Sequence, residues 1–238
     1  MSKIFEAYKK RTGGDPDLAF ELTRSGEVAL FPTPPSRQLA EFSELANMML
    51  RLRRPETGLV LSFASSVSGE GSSYVSYNAA LQLAHTLNQK VIWIDANFKS
   101  PQRKLYSSRN LTFAAVLQEP ESLRDLAPDN NLTLVPGGAD LPRHTSVFAS
   151  QTFPSMLRYL SGKFDFTIID MPPILESVET GLMAVATDGM LIVIESKRLK
   201  WEVVKHGLDS LQEKHVKVLG TVINRREYDL PKIIYDRI

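Results

Sequence analysis

From residue 58 onward, short uninterrupted apolar runs alternate with segments of helical periodicity. The runs span residues 59–64, 91–95, 132–135, 166–170, 190–194 and 216–223, and the helical segments span 72–88, 146–161, 176–186 and 201–214. A strand that is apolar on both faces must be covered on both faces, which is typical of a parallel sheet between two layers of helices. We therefore predict an α/β fold with a mostly parallel sheet and helices on both faces. In such sheets ligands bind at the carboxyl ends of the strands.

The first 36 residues have a different character. Residues 3–11 are predicted to form a short amphipathic helix, and residues 12–36 contain repeated glycine and proline, which is typical of a linker. A helical apolar stripe follows over residues 37–52. We expect residues 1–36 to be an N-terminal helix and flexible arm, and residues 37–238 to form a single domain.

The composition excludes several classes of function. The chain has 28 Lys and Arg against 27 Asp and Glu, so its net charge gives no overall attraction to nucleic acid or to an anionic membrane. It has no cysteine, which excludes disulfides, thiolate zinc sites and cysteine nucleophiles. No apolar run approaches the roughly 20 residues needed to span a bilayer. We expect any membrane association to come through a partner or a surface helix.

The first apolar run leads into a glycine-containing loop, Ser65-Ser-Val-Ser-Gly-Glu-Gly-Ser-Ser73, which precedes a helical segment. Glycines between a strand and a helix let backbone N–H groups surround a phosphate, as in the P-loop pattern G-x-x-x-x-G-K-[ST]. Gly71 holds the last glycine position, Ser73 the position whose hydroxyl binds magnesium, and Ser72 the position of the lysine. The candidate phosphate-binding residues are therefore Gly69, Glu70, Gly71, Ser72 and Ser73.

Polar residues also end three of the other predicted strands. Asp95 ends one strand, and Asp170 ends another ahead of two prolines, in the position of a Walker B carboxylate. Such a carboxylate beside a P-loop can hold magnesium or orient an attacking oxygen. Asp95 and Asp170 are therefore the candidate catalytic pair and, together with Ser73, the candidate magnesium ligands. Asn224 and Arg225 follow the last strand as candidate nucleotide contacts, since an amide there could bind an adenine edge.

These motifs together resemble those of the bacterial tyrosine kinases (BY-kinases) of capsule and exopolysaccharide synthesis. That family lies in the deviant-Walker P-loop class, which also contains division-site and plasmid-partition ATPases. The family patterns S-x-x-P-G-E-G-K-S, I-D-A-D-x-R-x-P and I-I-D-x-P-P are similar to the loop over 65–73, to Ile94-Asp-Ala-Asn-Phe-Lys-Ser-Pro101 and to Ile168-Ile-Asp-Met-Pro-Pro173. The resemblance covers residues 36–224. It implies a three-layer P-loop NTPase-like fold whose ligand, if any, is ATP or ADP with Mg.

The chain departs from the family pattern at the positions that carry the chemistry. Ser72 replaces the lysine that would bridge the β- and γ-phosphates, and no Lys or Arg occurs in residues 55–89. Asn97 replaces the second carboxylate of the Asp-x-Asp pair. A replacement cation would have to come from elsewhere, such as Lys99, Arg103 or a neighbouring subunit. Without one, we expect no tightly bound nucleotide.

Two further departures concern assembly and phosphorylation. In the family's Glu-x-x-Arg-x-x-Arg interface motif, Ser43 and Ala46 stand where arginines are expected, which argues against the family's ring-shaped oligomer. The C-terminal tyrosine cluster of the family is reduced to Tyr228 and Tyr235, which are the phosphosite candidates.

Other basic and aromatic residues are interpreted as structural. Lys197, Arg198 and Lys200 form a short basic cluster that we predict to be a solvated turn. Trp93 lies in a predicted core strand and Trp201 opens a predicted helix, and both are predicted to be packing residues.

The resemblance and its departures support three hypotheses. The first is a catalytically impaired BY-kinase-like protein, a pseudokinase, that regulates or scaffolds exopolysaccharide or capsule biosynthesis and chain-length control. Such a protein would be cytoplasmic and would lie at the inner membrane through a partner, which is either a polysaccharide co-polymerase or an active BY-kinase. It would not bind nucleic acid, and a homo-oligomer is left open. The second is an active tyrosine autokinase or slow ATPase with an atypical P-loop. The third is a positioning protein of the division-site ATPase kind.

Overall fold

Six strands form one sheet in the described part of the computed structural model. They are β1 Leu59–Ser65, β2 Val91–Asp95, β3 Leu132–Val135, β4 Phe166–Asp170, β5 Gly189–Glu195 and β6 Val218–Asn224. Their order across the sheet is β3-β2-β4-β1-β5-β6, and every pairing is parallel. The predicted parallel sheet is therefore confirmed, and all six carboxyl ends lie at one edge.

The structure describes residues 31, 34–53, 56–98, 112–123, 131–137, 147–148 and 150–226. The chain divides into two compact units, residues 1–40 and 41–238. The predicted helix over 3–11 lies outside the described residues, and so do Lys99, Arg103, Tyr228 and Tyr235.

Six α-helices of at least six residues accompany the sheet in the described residues. They are α1 Ser36–Leu52, α2 Ser72–Leu81, α3 Phe113–Gln118, α4 Thr152–Ser161, α5 Val178–Ala184 and α6 Trp201–Glu213. A π-helical turn, Gln82–Thr86, continues α2, and a 3₁₀ turn, Pro120–Leu123, follows α3.

Several helix bounds differ from the sequence prediction: the α-helix predicted over 72–88 ends at Leu81, the helix predicted over 176–186 spans Val178–Ala184, and two larger differences follow. The helix predicted over 146–161 is interrupted: residues 147–148 are helical, and α4 begins at Thr152. Between them the Ser150 hydroxyl accepts from the Thr152 N–H at 3.3 Å and donates to the Val147 carbonyl at 2.7 Å. Helix α3 was not predicted. Its six residues are too few for a helical period to stand out, although Thr112 caps it by accepting from the Ala115 N–H at 3.3 Å.

The four inner strands of the sheet are largely buried, whereas the edge strand β3 is half-buried and the edge strand β6 is partly exposed. Trp93 of β2 is fully buried, as predicted, and its ring N–H donates to the Ser76 hydroxyl at 3.0 Å. Trp201 contradicts its predicted packing role, because its side chain is 62% exposed at the first position of α6. No helix in the described part of the chain combines the length and the apolar character of a membrane span.

The strand order explains where a site can form. Strand β1 lies between β4 and β5 in the sheet. The chain adds β2, β3 and β4 on one side of β1 and then adds β5 and β6 on the other side. The loop that follows β1 therefore opens at a topological switch point, which is the usual ligand position in an open parallel sheet.

Candidate functional site

The loop between β1 and α2 depends on two glycines with left-handed backbone. Gly69 has φ 89° and Gly71 has φ 93°, a region that side chains other than glycine rarely adopt. Space is also restricted. A Cβ at Gly69 would lie 2.9 Å from a guanidinium nitrogen of Arg198, and a Cβ at Gly71 would overlap the side-chain amide nitrogen of Asn224.

Glu70 and Asn224 brace this loop from the sheet. The buried Glu70 carboxylate accepts from the N–H of Val67 at 3.0 Å and from the N–H of Glu195 at 3.2 Å. The Asn224 amide donates to the Glu70 carbonyl at 2.8 Å, and its oxygen accepts from the Arg225 N–H at 2.9 Å. Both polar atoms of Asn224 thus have protein partners. The adenine contact suggested for this residue remains a prediction.

Ser72 occupies the lysine position of the pattern and contacts a carboxylate. It begins α2, its side chain is buried, and its hydroxyl donates to Asp170 Oδ1 at 3.0 Å. The other oxygen, Asp170 Oδ2, is buried without a hydrogen-bond partner among the described residues. The serine hydroxyl therefore supplies one neutral hydrogen bond where the pattern supplies a positive charge.

Asp170 and Asp95 form a buried pair at neighbouring strand ends. The two residues are partners in the β2–β4 register, and both are fully buried. Burial, and after it repulsion from Asp95, raise the pKa of Asp170 to about 8, even though hydrogen bonds from the hydroxyls of Ser73 and Ser72 lower it. A negative charge on Asp170 is therefore disfavoured unless a cation is brought to it.

Arg198 is the cation that the structure places against the loop, and the sequence did not single it out for this role. It was predicted to lie in a solvated turn, but its guanidinium donates to the Ser68 carbonyl at 2.7 Å and to Glu195 at 2.8 Å. In a trans peptide the C=O and the N–H point in opposite directions, so the Gly69 N–H points away from Arg198. This arginine contacts the carbonyl side of the loop.

Glu176 is a second residue that sequence reasoning missed. Its carboxylate accepts from the Ser68 N–H and from the Ser68 hydroxyl, each at 2.6 Å. An N–H of the loop, the group that a P-loop offers to phosphate oxygens, is therefore occupied by a negative side chain of the same protein.

The residues present fit a divalent cation better than a triphosphate. The unpartnered Asp170 Oδ2, the neighbouring Asp95 and the Ser73 hydroxyl are oxygen donors of the kind that magnesium takes. The Glu176 carboxylate on Ser68 instead meets an incoming phosphate with like charge. Arg225, a predicted nucleotide contact, is exposed and donates to Glu195 at 3.0 Å.

The predicted interface positions face other groups. Ala46 is fully buried, and the Ser43 hydroxyl donates to the side-chain oxygen of Gln82 at 2.9 Å. Neither position presents an arginine-like group to a neighbouring subunit.

Comparison with known families identifies residues 59–225 as an AAA domain, AAA_31. A tyrosine-protein kinase, CpsD of Streptococcus agalactiae, is 29% identical over 178 residues, which cover 70% of this chain and 75% of that protein. The succinoglycan biosynthesis transport protein ExoP of Rhizobium meliloti is 27% identical over 176 residues. They cover 71% of this chain and only 22% of that longer protein.

Solved structures share the fold. The chimerical protein CapA2B2 matches with a TM-score of 0.71 at 21% identity, covering 94% of this chain and 99% of that one. The septum site-determining protein MinD of Pyrococcus horikoshii, solved with Mg-ADP, matches with a TM-score of 0.57 at 21% identity, covering 76% of each chain.

Proposed function

We propose that this chain, which belongs to the AAA domain family and is a P-loop protein of the bacterial tyrosine-kinase family, is a catalytically impaired member that acts as a binding module. One observation carries the proposal: at the lysine position of the loop, Ser72 donates a neutral hydrogen bond to Asp170. The fold and the strand-end carboxylates are kept, while the charge that neutralises the transferring phosphate is missing.

The absence of a positive charge at the lysine position has a large energetic effect on phosphoryl transfer. Hydrogen bonds to charged groups contribute about 1.5–3 kcal/mol each, and a cation at the transferring group contributes still more as charge develops in the transition state. Glu176 adds to the loss by occupying the Ser68 N–H. We infer that neither ATP nor ADP binds tightly, although MinD, which shares the fold, was solved with Mg-ADP.

The binding role is proposed to serve exopolysaccharide or capsule synthesis. ExoP carries a segment similar to this chain within a much longer transport protein, which supports a partner of the same kind for this chain. That partner is an inner-membrane polysaccharide co-polymerase or an active kinase of the family. The chain would regulate or scaffold polymer chain-length control from the cytoplasmic side, at the membrane through its partner.

A specific observation favours a second candidate, an active tyrosine autokinase or slow ATPase. Asp95 and Asp170 remain side by side at the strand ends, and Ser73 keeps the magnesium position. In that case Asp95 would polarise the attacking oxygen, and Ser73 and Asp170 would hold magnesium. Radiolabelled ATP would then place phosphate on Tyr228 or Tyr235, and Asp95→Asn would abolish the label.

A complementation experiment tests the non-catalytic proposal. In a host that lacks the gene, Asp95→Asn is expected to restore polysaccharide chain length as fully as the wild-type chain does, because the proposed role needs the fold and no phosphoryl transfer. Polymer length is read on gels, and the amount of each variant is measured by immunoblot. An Asp95→Asn chain that accumulates to the wild-type level and yet fails to restore length would overturn the proposal.

A further inference from the structure

We propose that the carboxyl edge of β5 and β6 docks directly on an anionic lipid bilayer. The docking surface is defined by exposed basic and apolar residues at this edge, Lys197, Lys200, Trp201, Ile223, Arg225 and Arg226, beside the exposed Arg198 and Glu202. This inference goes beyond the proposed function, in which the membrane is reached through a partner.

The two segments of the docking surface are held side by side. Glu195 of β5 and Asn224 of β6 are register partners, and the Ser196 N–H donates to the Asn224 carbonyl at 3.0 Å. The Glu195 carboxylate then joins both segments, because it accepts from Arg198 at 2.8 Å and from Arg225 at 3.0 Å. One carboxylate therefore fixes the turn after β5 against the residues that follow β6.

Positive charge is concentrated here. Residues 195–202 and 223–226 contain five basic and two acidic side chains, whereas the whole chain is nearly neutral at +1. One of the two acids, Glu195, is already paired with two arginines. A local excess of exposed Lys and Arg attracts the negative surface of a bilayer that contains anionic lipid.

The exposed apolar side chains favour a bilayer over an acidic protein or a nucleic acid. Trp201 is 62% exposed and Ile223 is 58% exposed, and both lie among the basic residues of this edge. Tryptophan has an apolar ring with one polar N–H and is enriched at the level of lipid headgroups. An apolar side chain beside several cations can insert below the headgroups while the cations contact lipid phosphates.

Vesicle co-sedimentation of the full chain tests this surface. At low salt, wild-type protein is expected to bind vesicles of phosphatidylcholine that contain about one third phosphatidylglycerol, and to dissociate from them at high salt. It is expected not to bind vesicles of pure phosphatidylcholine. Lys200→Glu combined with Arg226→Glu is expected to weaken binding at least about tenfold, since each basic residue near the surface contributes roughly fivefold.

The matched control variant also replaces two basic residues with glutamate, but at the opposite edge of the sheet. Lys163→Glu with Lys217→Glu removes two exposed lysines that precede β4 and β6, and this variant is expected to retain binding. Tryptophan fluorescence gives a second measurement. Trp201 should shift to the blue on vesicles, Trp201→Phe should lose the shift, and buried Trp93 should contribute none.

Several outcomes would overturn the proposal. These are no binding of wild-type chain to anionic vesicles at low salt, equal loss of binding in the two double variants, or an unchanged fluorescence shift in Trp201→Phe. Binding to duplex DNA or to an acidic polypeptide without binding to vesicles would assign the surface to that other class of partner.

Discussion

Replacing Ser72 with lysine is expected to produce Mg-ATP binding that the wild-type chain lacks, with an affinity gain of about 10- to 150-fold. This range corresponds to the roughly 1.5–3 kcal/mol of one charge-assisted hydrogen bond. In the wild-type chain the Ser72 hydroxyl donates to Asp170 Oδ1 and brings no charge. A lysine ammonium would place a cation between the carboxylate pair and the terminal phosphates. Isothermal titration of both chains with Mg-ATP measures the difference.

The control for this variant is Ser72→Met, which adds side-chain length without charge. If methionine improves affinity as much as lysine does, the gain reflects packing and the electrostatic explanation is wrong. Glu176→Gln in the Ser72→Lys background is expected to add to the gain, because it removes the negative charge from the Ser68 N–H. No gain in Ser72→Lys, in a chain shown to be folded, would mean that the rest of the pocket is also lost.

The free energy of unfolding is expected to fall as the pH rises from about 4 to about 8. Burial and Asp95 raise the pKa of Asp170 to about 8, above the value near 4 expected in the unfolded chain. Between these values the folded state binds more protons than the unfolded state, so stability is lost as pH rises through the window. One pKa unit corresponds to about 1.4 kcal/mol, so a shift of about four units sets an upper limit of roughly 5.5 kcal/mol, and the coupling to Asp95 makes the expected loss smaller than this limit. Urea denaturation at each pH measures it.

Asp170→Asn isolates this contribution from all other titrating groups. The variant keeps the shape of the side chain and cannot ionise. The free energy of unfolding of the variant minus that of the wild-type chain should therefore increase steadily from pH 4 to pH 8. Asp95→Asn removes the repulsion that Asp95 exerts on Asp170, and should move the wild-type loss to lower pH. Parallel stability curves for wild type and Asp170→Asn across this window would contradict the assigned pKa.

The architecture was predictable because its signals are local. Uninterrupted apolar runs such as 91–95 and 166–170 identify buried parallel strands, and strand ends in a parallel sheet meet at one edge. That reasoning was enough to bring Asp95, Asp170 and Asn224 together beside the loop. The bounds of α4 were less predictable, because the Ser150 turn that delays its start competes with a helical pattern already present in the sequence.

The contacts that define the loop's electrostatics were not predictable from the sequence. Glu176 and Arg198 are 108 and 130 residues from Ser68 along the chain. Both lie in turns, although Glu176 was predicted to open the helix over 176–186, which in the structure begins at Val178. The strand order, which was not predicted from the sequence, explains these contacts: β4 and β5 flank β1, so residues that follow β4 and β5 pass close to the loop. Trp201 was mistaken for a packing residue because an aromatic residue that opens an amphipathic helix has the same pattern whether its side chain is buried or exposed.

Titration of the purified wild-type chain with Mg-ATP and Mg-ADP by calorimetry measures whether this P-loop can hold a nucleotide without the missing charge. We expect no saturable binding at micromolar concentrations, and no nucleotide released when the purified protein is denatured. A micromolar dissociation constant together with measurable ATP turnover would contradict this expectation, and would require a cation that reaches the terminal phosphate from elsewhere in the chain or from a neighbouring subunit.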